Sequence, residues 1–584
     1  MIKYYNNIRL GAKKLEPQKS KRMSGARILV ETLIEQGVTD VFGIPGGQVV
    51  DIYDELNRAR RRIRHILTSH EQGAAHAADG YARVSGKVGV ALATSGPGAT
   101  NLVTGIAAAM LDSVPMVVIT GNVSTQLIGR DSFQEINITG ITFSITKHNY
   151  FVTDVNELAD TVREAFRIAS SGRPGPVLID IPKDVQTAKT LFAPKAPEPP
   201  DALPHADEKD VLRAAEIINR ASRPYLYIGG GAAANGMGKQ IMEFAEKTDA
   251  FIGCSLMGIS TVPSSYERFL GMQGMHGRYA STKANTEADV IIGVGVRFSD
   301  RATGDAKKYA RRAEIVQIDA DLAEINKNVI VDAGLVGDVK KTFSMLLDAV
   351  EQKRRPQWHK RALELKSEGR RIFNSIDENA LSEITPKQVF EMINGKKEAD
   401  TVVATDVGQH QMWAAQYLKF EKPRRFISSG GLGAMGYGLG AAIGAVIAEK
   451  KRAVLVTGDG SFSMNLTELA TAVSYKIPVV IVLMNNSVLG MVRQWQTLFY
   501  GGRYPATDPK RKTDFVKVCE AFGGKGERVS SAEEFEAAFE RAMKFDGPYL
   551  IDVPVDKDEL VLPMIPSDGD LEDLITTDER KNKQ

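Results

Sequence analysis

The chain has 584 residues, 43% hydrophobic and 25% charged, with 74 Lys and Arg against 72 Asp and Glu for a formal net charge of +2. At this length roughly three or four domains are expected, and the composition excludes a disordered or membrane-embedded protein. The near-zero net charge gives no reason to expect a nucleic-acid partner, no apolar run reaches the roughly 20 residues that span a bilayer, and two cysteines point to a reducing, cytoplasmic setting.

Residues 1–22 are basic, nearly free of acids and without the apolar stretch of a secretory signal, so they read as a flexible extension. Residues 23–186 then alternate Val- and Ile-rich runs with Gly-bearing turns and Ala-rich helical stretches. Examples are Val88 to Thr94, the turn Ser95-Gly96-Pro97-Gly98, a helical Ala99 to Met110, and a strand at Met116 to Thr120. That texture predicts a parallel sheet covered by helices. A Pro-rich linker spans 187–205.

Residues 206–350 repeat the texture, with strands Pro224 to Ile228, Val290 to Val294 and Glu314 to Ile318. A segment dense in Lys, Arg and Glu, 351–384, reads as a solvated helical connection. Residues 385–556 carry strands Thr401 to Ala404, Ala453 to Thr457, Val479 to Leu483 and Tyr549 to Val553, before a tail at 557–584. The predicted architecture is α/β, three consecutive doubly wound parallel-sheet domains, the first and third alike in length and order.

Chemistry concentrates at Thr457-Gly458-Asp459-Gly460-Ser461, which closes a strand and is followed by a helical Met464 to Tyr475, a second strand, and Asn485-Asn486. Loops at the carboxyl ends of parallel strands lie on one edge, so Asp459 and Asn486 can converge. Gly458 and Gly460 admit main-chain amides to a phosphate, and Asp459 and Asn486 offer the oxygen ligands Mg2+ accepts. Gly-Asp-Gly alone also marks an ordinary turn; the Asn-Asn pair at the end of the next strand matches the signature of thiamine-diphosphate enzymes. Glu71, in His70-Glu71-Gln72-Gly73 after the strand Arg64 to Thr68, is the candidate carboxyl group for proton exchange with the coenzyme. A Glu at a helix start also serves simply as a dipole partner.

Together with these motifs, Thr94 to Asn101, Phe133-Gln134-Glu135, Ser171 to Pro176, Gly274 to Gly277, Gly430 to Gly438 and Gly490 to Gln496 make the chain resemble the biosynthetic acetolactate synthase (acetohydroxyacid synthase) catalytic subunits, from about Met23 to Pro563. The resemblance implies a homodimer or tetramer, the coenzyme lying between the first domain of one subunit and the third of another, and a small regulatory subunit. It implies that Val407, Gly408, Gln409, His410, Gly433, Gly490 and Met491 join Gly458, Asp459, Gly460, Ser461 and Asn486 around thiamine diphosphate, that Met435 props the coenzyme, and that the carbonyl of Val488 completes the Mg2+ ligands.

By the same resemblance, Gly47 and Gln134 lie near the reacting carbon, while Phe133, Lys183, Met275, Arg301 and Trp495 line the approach of a 2-keto acid. The middle domain is similar to a central FAD-binding Rossmann-like domain, with Arg173, Gly229, Gly230, Gly231, His276, Gly277, Arg297, Asp319 and Asp338 as the expected contacts. Gln48 and Ser124 depart from the family's usual alanine and proline beside the channel, and Pro566-Ser567-Asp568-Gly569-Asp570 is more acidic than its usual C-terminal run. A pyruvate oxidase or glyoxylate carboligase would share the first chemical step. A non-catalytic nucleotide-binding protein would use mainly Gly229 to Gly231. A hydride-transferring dehydrogenase lacks a G-x-G-x-x-G fingerprint.

Overall fold

The computed structural model describes residues 20–566 and 569–577. Most of the expected extension, residues 1–19, and the end of the tail, 578–584, lie outside them, as do Ser567 and Asp568. Three six-stranded sheets, one per segment, are entirely parallel. In chain order their strands lie 2-1-3-4-6-5 in the first and third sheets and 3-2-1-4-5-6 in the middle one. The likeness of the first and third segments is therefore a likeness of topology, while the middle sheet has the dinucleotide-fold order.

The central strands are buried on both faces because helices cover both, as in Val479–Asn485 and Pro176–Pro182, where every residue is buried. The helix Glu71–Ser85 of the first domain packs along Tyr437–Glu449 of the third. Small residues set that approach: a Cβ at Gly80 would strike the backbone of Ala441, and one at Gly444 the backbone of Ala77. One apolar core runs through this contact, joining Ala74, Ala78 and Ile106 to Leu439, Ala442 and Ile481. A second links the middle and third sheets.

Two boundaries differ from expectation. Lys21–Ser24 forms a strand antiparallel to Lys189–Phe192, so residues 21 and 22 are not extension, and the linker starts only at 193. The charged connection contains a helix, Pro356–Glu378, that is not solvated all round: Trp358, Ala362, Leu365 and Phe373 are buried on one face. Its charge density hid an amphipathic stripe.

Candidate active site

The strands Ala453–Gly458 and Val479–Asn485 are neighbours, with Gly458 opposite Met484, so the residues that follow each strand emerge side by side. The backbone N–H of Asn486 comes close enough to the carboxylate of Asp459 to favour its charged form. The helix predicted to begin at Met464 begins at Asp459 instead, runs to Asn465, and resumes as Leu469–Ser474 after a turn at Leu466–Glu468. Its N-terminus therefore lies directly at the Gly-Asp-Gly loop, where an anion is favoured.

Burial pushes the Asp459 carboxyl up to about 6, opposed by the charge of Arg511 and by the N–H groups of Asp459, Gly460 and Asn486. A buried carboxylate that water and these amides do not fully stabilise is the kind a divalent cation would hold ionised. Asn486 is fixed at both ends of its amide: Oδ1 accepts from the N–H of Val488 at 3.1 Å, and Nδ2 donates to Gln409 Oε1 at 3.0 Å. Gln409 in turn donates to Gln494 Oε1 and to the carbonyl of Glu559. Gly490 must be glycine, since a Cβ there would collide with Gln409 Oε1 and Asn486 Nδ2.

His410 is buried beside Gly458, its Nε2 has no hydrogen-bond partner, and burial holds it down to about 3, so the ring is neutral. An unpartnered ring nitrogen at this loop suits a phosphate oxygen. Met435 lies with its methyl against Gly460. Asp406, which the motifs did not single out, accepts from the N–H groups of Val407 and Gly436 and is bonded by Ser461 and Thr457, drawing three segments together. Its signal in the sequence is an acid directly after the strand Val402–Thr405.

Next to these loops opens a cavity of about 1280 Å3. Its walls include Val407, Gly408, Gly433, Met435 and Met491 of the third domain, Gly230, Gly231, His276, Arg297 and Asp319 of the middle domain, and Arg173 of the first. Met275, Arg301 and Trp495 meet in the same cavity. The Arg301 guanidinium lies 5.8 Å from the Trp495 ring centroid, and its Nη1 is 3.9 Å from Met275 Sδ.

Along the carboxyl edge of the middle sheet, burial pushes Asp319 up to about 6 and lowers His276 to about 4, leaving His276 Nδ1 without a partner. Arg173 donates to Ser113 Oγ and Glu324 Oε1. Three of the expected contacts also have packing or capping roles. Gly229 and Gly277 are absent from the cavity walls, and a Cβ at either would strike backbone, of Gly295 and Gln273 respectively. Asp338 caps the helix Val339–Ala349 by accepting from Lys341 N–H at 3.0 Å.

The first-domain candidates form a separate group. Glu71 opens the helix Glu71–Ser85, is buried, accepts from Asn101 Nδ2 at 2.9 Å and adjoins Gly98. Lys183 Nζ donates to the carbonyl of Gly47 at 3.3 Å and pairs with Asp51 at 2.6 Å. Gln134, at φ +62°, packs against Gly96, and Phe133 stands 84% exposed. None of Glu71, Gly47, Phe133, Gln134 or Lys183 lines the cavity. Asp51 and Asn101, the latter closing the Thr94 to Asn101 motif, are further members whose contacts with Lys183 and Glu71 form only through folding.

The chain matches the thiamine pyrophosphate enzyme N-terminal TPP binding domain over residues 23–141, the central domain over 211–346 and the C-terminal TPP binding domain over 406–553. Fold and loops thus define an enzyme of the thiamine-pyrophosphate class. A probable acetolactate synthase large subunit of Methanocaldococcus jannaschii is 44% identical over 566 residues, covering 95% of each chain. The acetolactate synthase large subunit of Corynebacterium glutamicum is 44% identical over 561 residues, 93% of this chain and 89% of that one. The acetolactate synthase isozyme 2 large subunit of Escherichia coli is 43% identical over 547 residues, 93% of this chain and 98% of that one. The chain belongs to the acetolactate synthase large-subunit family of thiamine pyrophosphate enzymes.

Proposed function

We propose that the chain decarboxylates pyruvate and joins the two-carbon fragment to a second pyruvate, giving 2-acetolactate, or to 2-oxobutanoate, giving 2-aceto-2-hydroxybutanoate. This is the first common step of branched-chain amino acid biosynthesis. The observation that carries it is the meeting of Asp459 and Asn486 at adjoining strand ends, in a chain 44% identical to acetolactate synthase large subunits.

Asp459, the side chain of Asn486 and the carbonyl of Val488 would hold Mg2+, and His410 with the amides at Gly458 to Ser461 would hold the diphosphate. Thiamine diphosphate supplies, when bound, the electron sink that decarboxylation of a 2-keto acid requires. Glu71 would be the group that exchanges a proton with the coenzyme, a role supported by its burial and by the amide donor from Asn101. Arg301 pairs with the carboxylate of the keto acid, whose two oxygens match its planar donors. Trp495 walls the acceptor side, and Met275 fills the space between.

FAD is the proposed occupant of the middle-domain part of the cavity, supported by its size, the unpartnered His276 and the acid Asp319 at a strand end. The separation of the Glu71 group from the cavity supports a dimer or higher oligomer in which a second copy completes each site. The relatives are named large subunits, which supports a small regulatory partner here. No helix among the described residues is long and apolar enough to cross a membrane, and both cysteines are unpaired and buried; the proposed location is the cytoplasm.

The test is to combine purified protein with thiamine diphosphate, Mg2+, FAD and pyruvate and identify the products. Acetolactate with stoichiometric carbon dioxide is expected; acetate, free acetaldehyde or no carbon dioxide would overturn the assignment.

A further inference from the structure

The loop that leads into Glu71 is held by its own domain at Thr68, whose N–H donates to the carbonyl of Gly43, and by the third domain on either side of it. The N–H of Leu67 donates to Tyr475 Oη at 2.8 Å, and Ser69 Oγ donates to the carbonyl of Thr467 at 2.8 Å. The two amides immediately before Glu71 both end on one side chain: the N–H of His70 donates to Glu468 Oε1 at 2.9 Å and that of Ser69 to Glu468 Oε2 at 3.2 Å. Glu468 is 0% exposed, and its second oxygen also accepts from Thr471 Oγ1 at 2.6 Å. A Cβ at Gly73 would collide with this carboxylate, so the glycine of His-Glu-Gln-Gly is the space into which Glu468 fits.

No cation pairs with Glu468 among the ion pairs of the described residues. A buried carboxylate with only amide and hydroxyl donors is costly to desolvate, and burial pushes this one upward against the bonds from Thr471, Ser69 and His70. An amide or hydroxyl would cap two N–H groups with less desolvation, so holding the loop's shape is insufficient reason for an acid here. What the carboxylate adds is bidentate geometry: two oxygens fix two successive amides and hence the direction in which the helix Glu71–Ser85 begins. Glu468 also ends the turn Leu466–Glu468, which directly follows the helix that starts at Asp459.

We propose that Glu468 is a positioning residue for Glu71, a carboxylate clamp that sets the catalytic acid from the turn that follows the helix carrying Asp459. The proposal rests on the role given above to Glu71, so its test includes that residue. Full-length parent, Glu468→Gln, Glu468→Asp and Glu71→Gln are compared by three measurements. These are amide hydrogen exchange of the Ser69–His70 segment in coenzyme-free protein, affinity for thiamine diphosphate with Mg2+, and deuterium exchange at C2 of the bound coenzyme.

Glu468→Gln is expected to raise amide exchange at Ser69 and His70 and to slow C2 exchange about 10- to 100-fold, with coenzyme affinity within about threefold of parent, as a displacement near 1 Å would. Glu468→Asp keeps the charge but withdraws it by one methylene, and is expected to slow C2 exchange too. It also serves where Glu468→Gln fails to fold. Glu71→Gln is expected to slow C2 exchange about 100-fold or more without changing the Ser69 and His70 amides. Parent-like C2 exchange in a folded Glu468 variant, with Glu71→Gln impaired, would overturn the clamp alone. Parent-like C2 exchange in Glu71→Gln would overturn the role of Glu71 itself.

Discussion

The guanidinium of Arg301 lies over the indole of Trp495, 5.8 Å from the ring centroid, so a middle-domain cation and a third-domain ring form one wall of the cavity. A cation placed on a ring face is oriented as well as attracted. Arg301 also lies 3.7 Å from the carboxylate of Asp300, and its side chain is 63% exposed, open to a ligand.

Trp495→Leu should therefore change acceptor choice more than turnover. A flat wall discriminates one methylene by about 1 to 3 kcal/mol, so competition between pyruvate and 2-oxobutanoate should shift roughly tenfold toward pyruvate. Arg301→Ala should raise the KM for pyruvate by at least about tenfold. An unchanged product ratio for the first, or an unchanged KM for the second, removes these residues from the substrate path.

Gly490→Ala places a methyl group where Gln409 Oε1 and Asn486 Nδ2 meet. Because that contact orients Asn486, Mg2+-dependent affinity for thiamine diphosphate should fall about 10- to 100-fold, the usual scale for disturbing the support of a metal ligand. Fluorescence titration measures it, with circular dichroism confirming a folded protein.

Arg83 bridges the buried carboxylates of Asp79 and Asp112, at 2.6 and 2.8 Å, and Asp112 also accepts from the N–H groups of Gly430 and Gly431. Asp112→Ala leaves part of a buried cation uncompensated and frees a cavity loop. Stability should drop by about 3 to 5 kcal/mol in urea unfolding. Asp112→Asn, which can still accept from the loop amides, should lose less.

The readable part of this site was the part written in short sequence intervals. Asp459 and Asn486 close consecutive parallel strands, so fold class and spacing alone placed them together. Asp112 and Glu468 act across domains, on Gly430 and Gly431 and on Ser69 and His70, and Asp406 reaches Gly436 on a separate loop of its own domain; no short interval along the chain encodes such contacts. Asp338 shows the converse: Gly337-Asp338 after a strand fits a ligand loop and a helix cap equally well, and the structure shows the cap. The helix start was misplaced by five residues because Gly458 and Gly460 read as turn, although Gly458 is an N-cap in extended geometry.

His76 is fully buried beside Tyr437, and burial holds it down to about 3 against an ordinary 6.5. Above pH 6.5 the ring is neutral in both folded and unfolded chains. As pH falls below 6.5 only the unfolded chain takes up a proton, so stability is lost progressively until about pH 3. His76→Gln removes that proton, and the unfolding free energy should become shallower by about 1.4 kcal/mol per pH unit between pH 6 and 4. Denaturant titrations at several pH values decide it; parallel curves for parent and variant would show that His76 is not the group responsible.

The most direct measurement is Mn2+ binding, followed by electron paramagnetic resonance, in the presence of thiamine diphosphate. Parent protein should hold the ion tightly and only with the coenzyme present, and Asp459→Ala should bind it more than about 100-fold more weakly while keeping its fold. Equal Mn2+ affinity in parent and Asp459→Ala would contradict the assignment of Asp459 and Asn486 as the centre of this site.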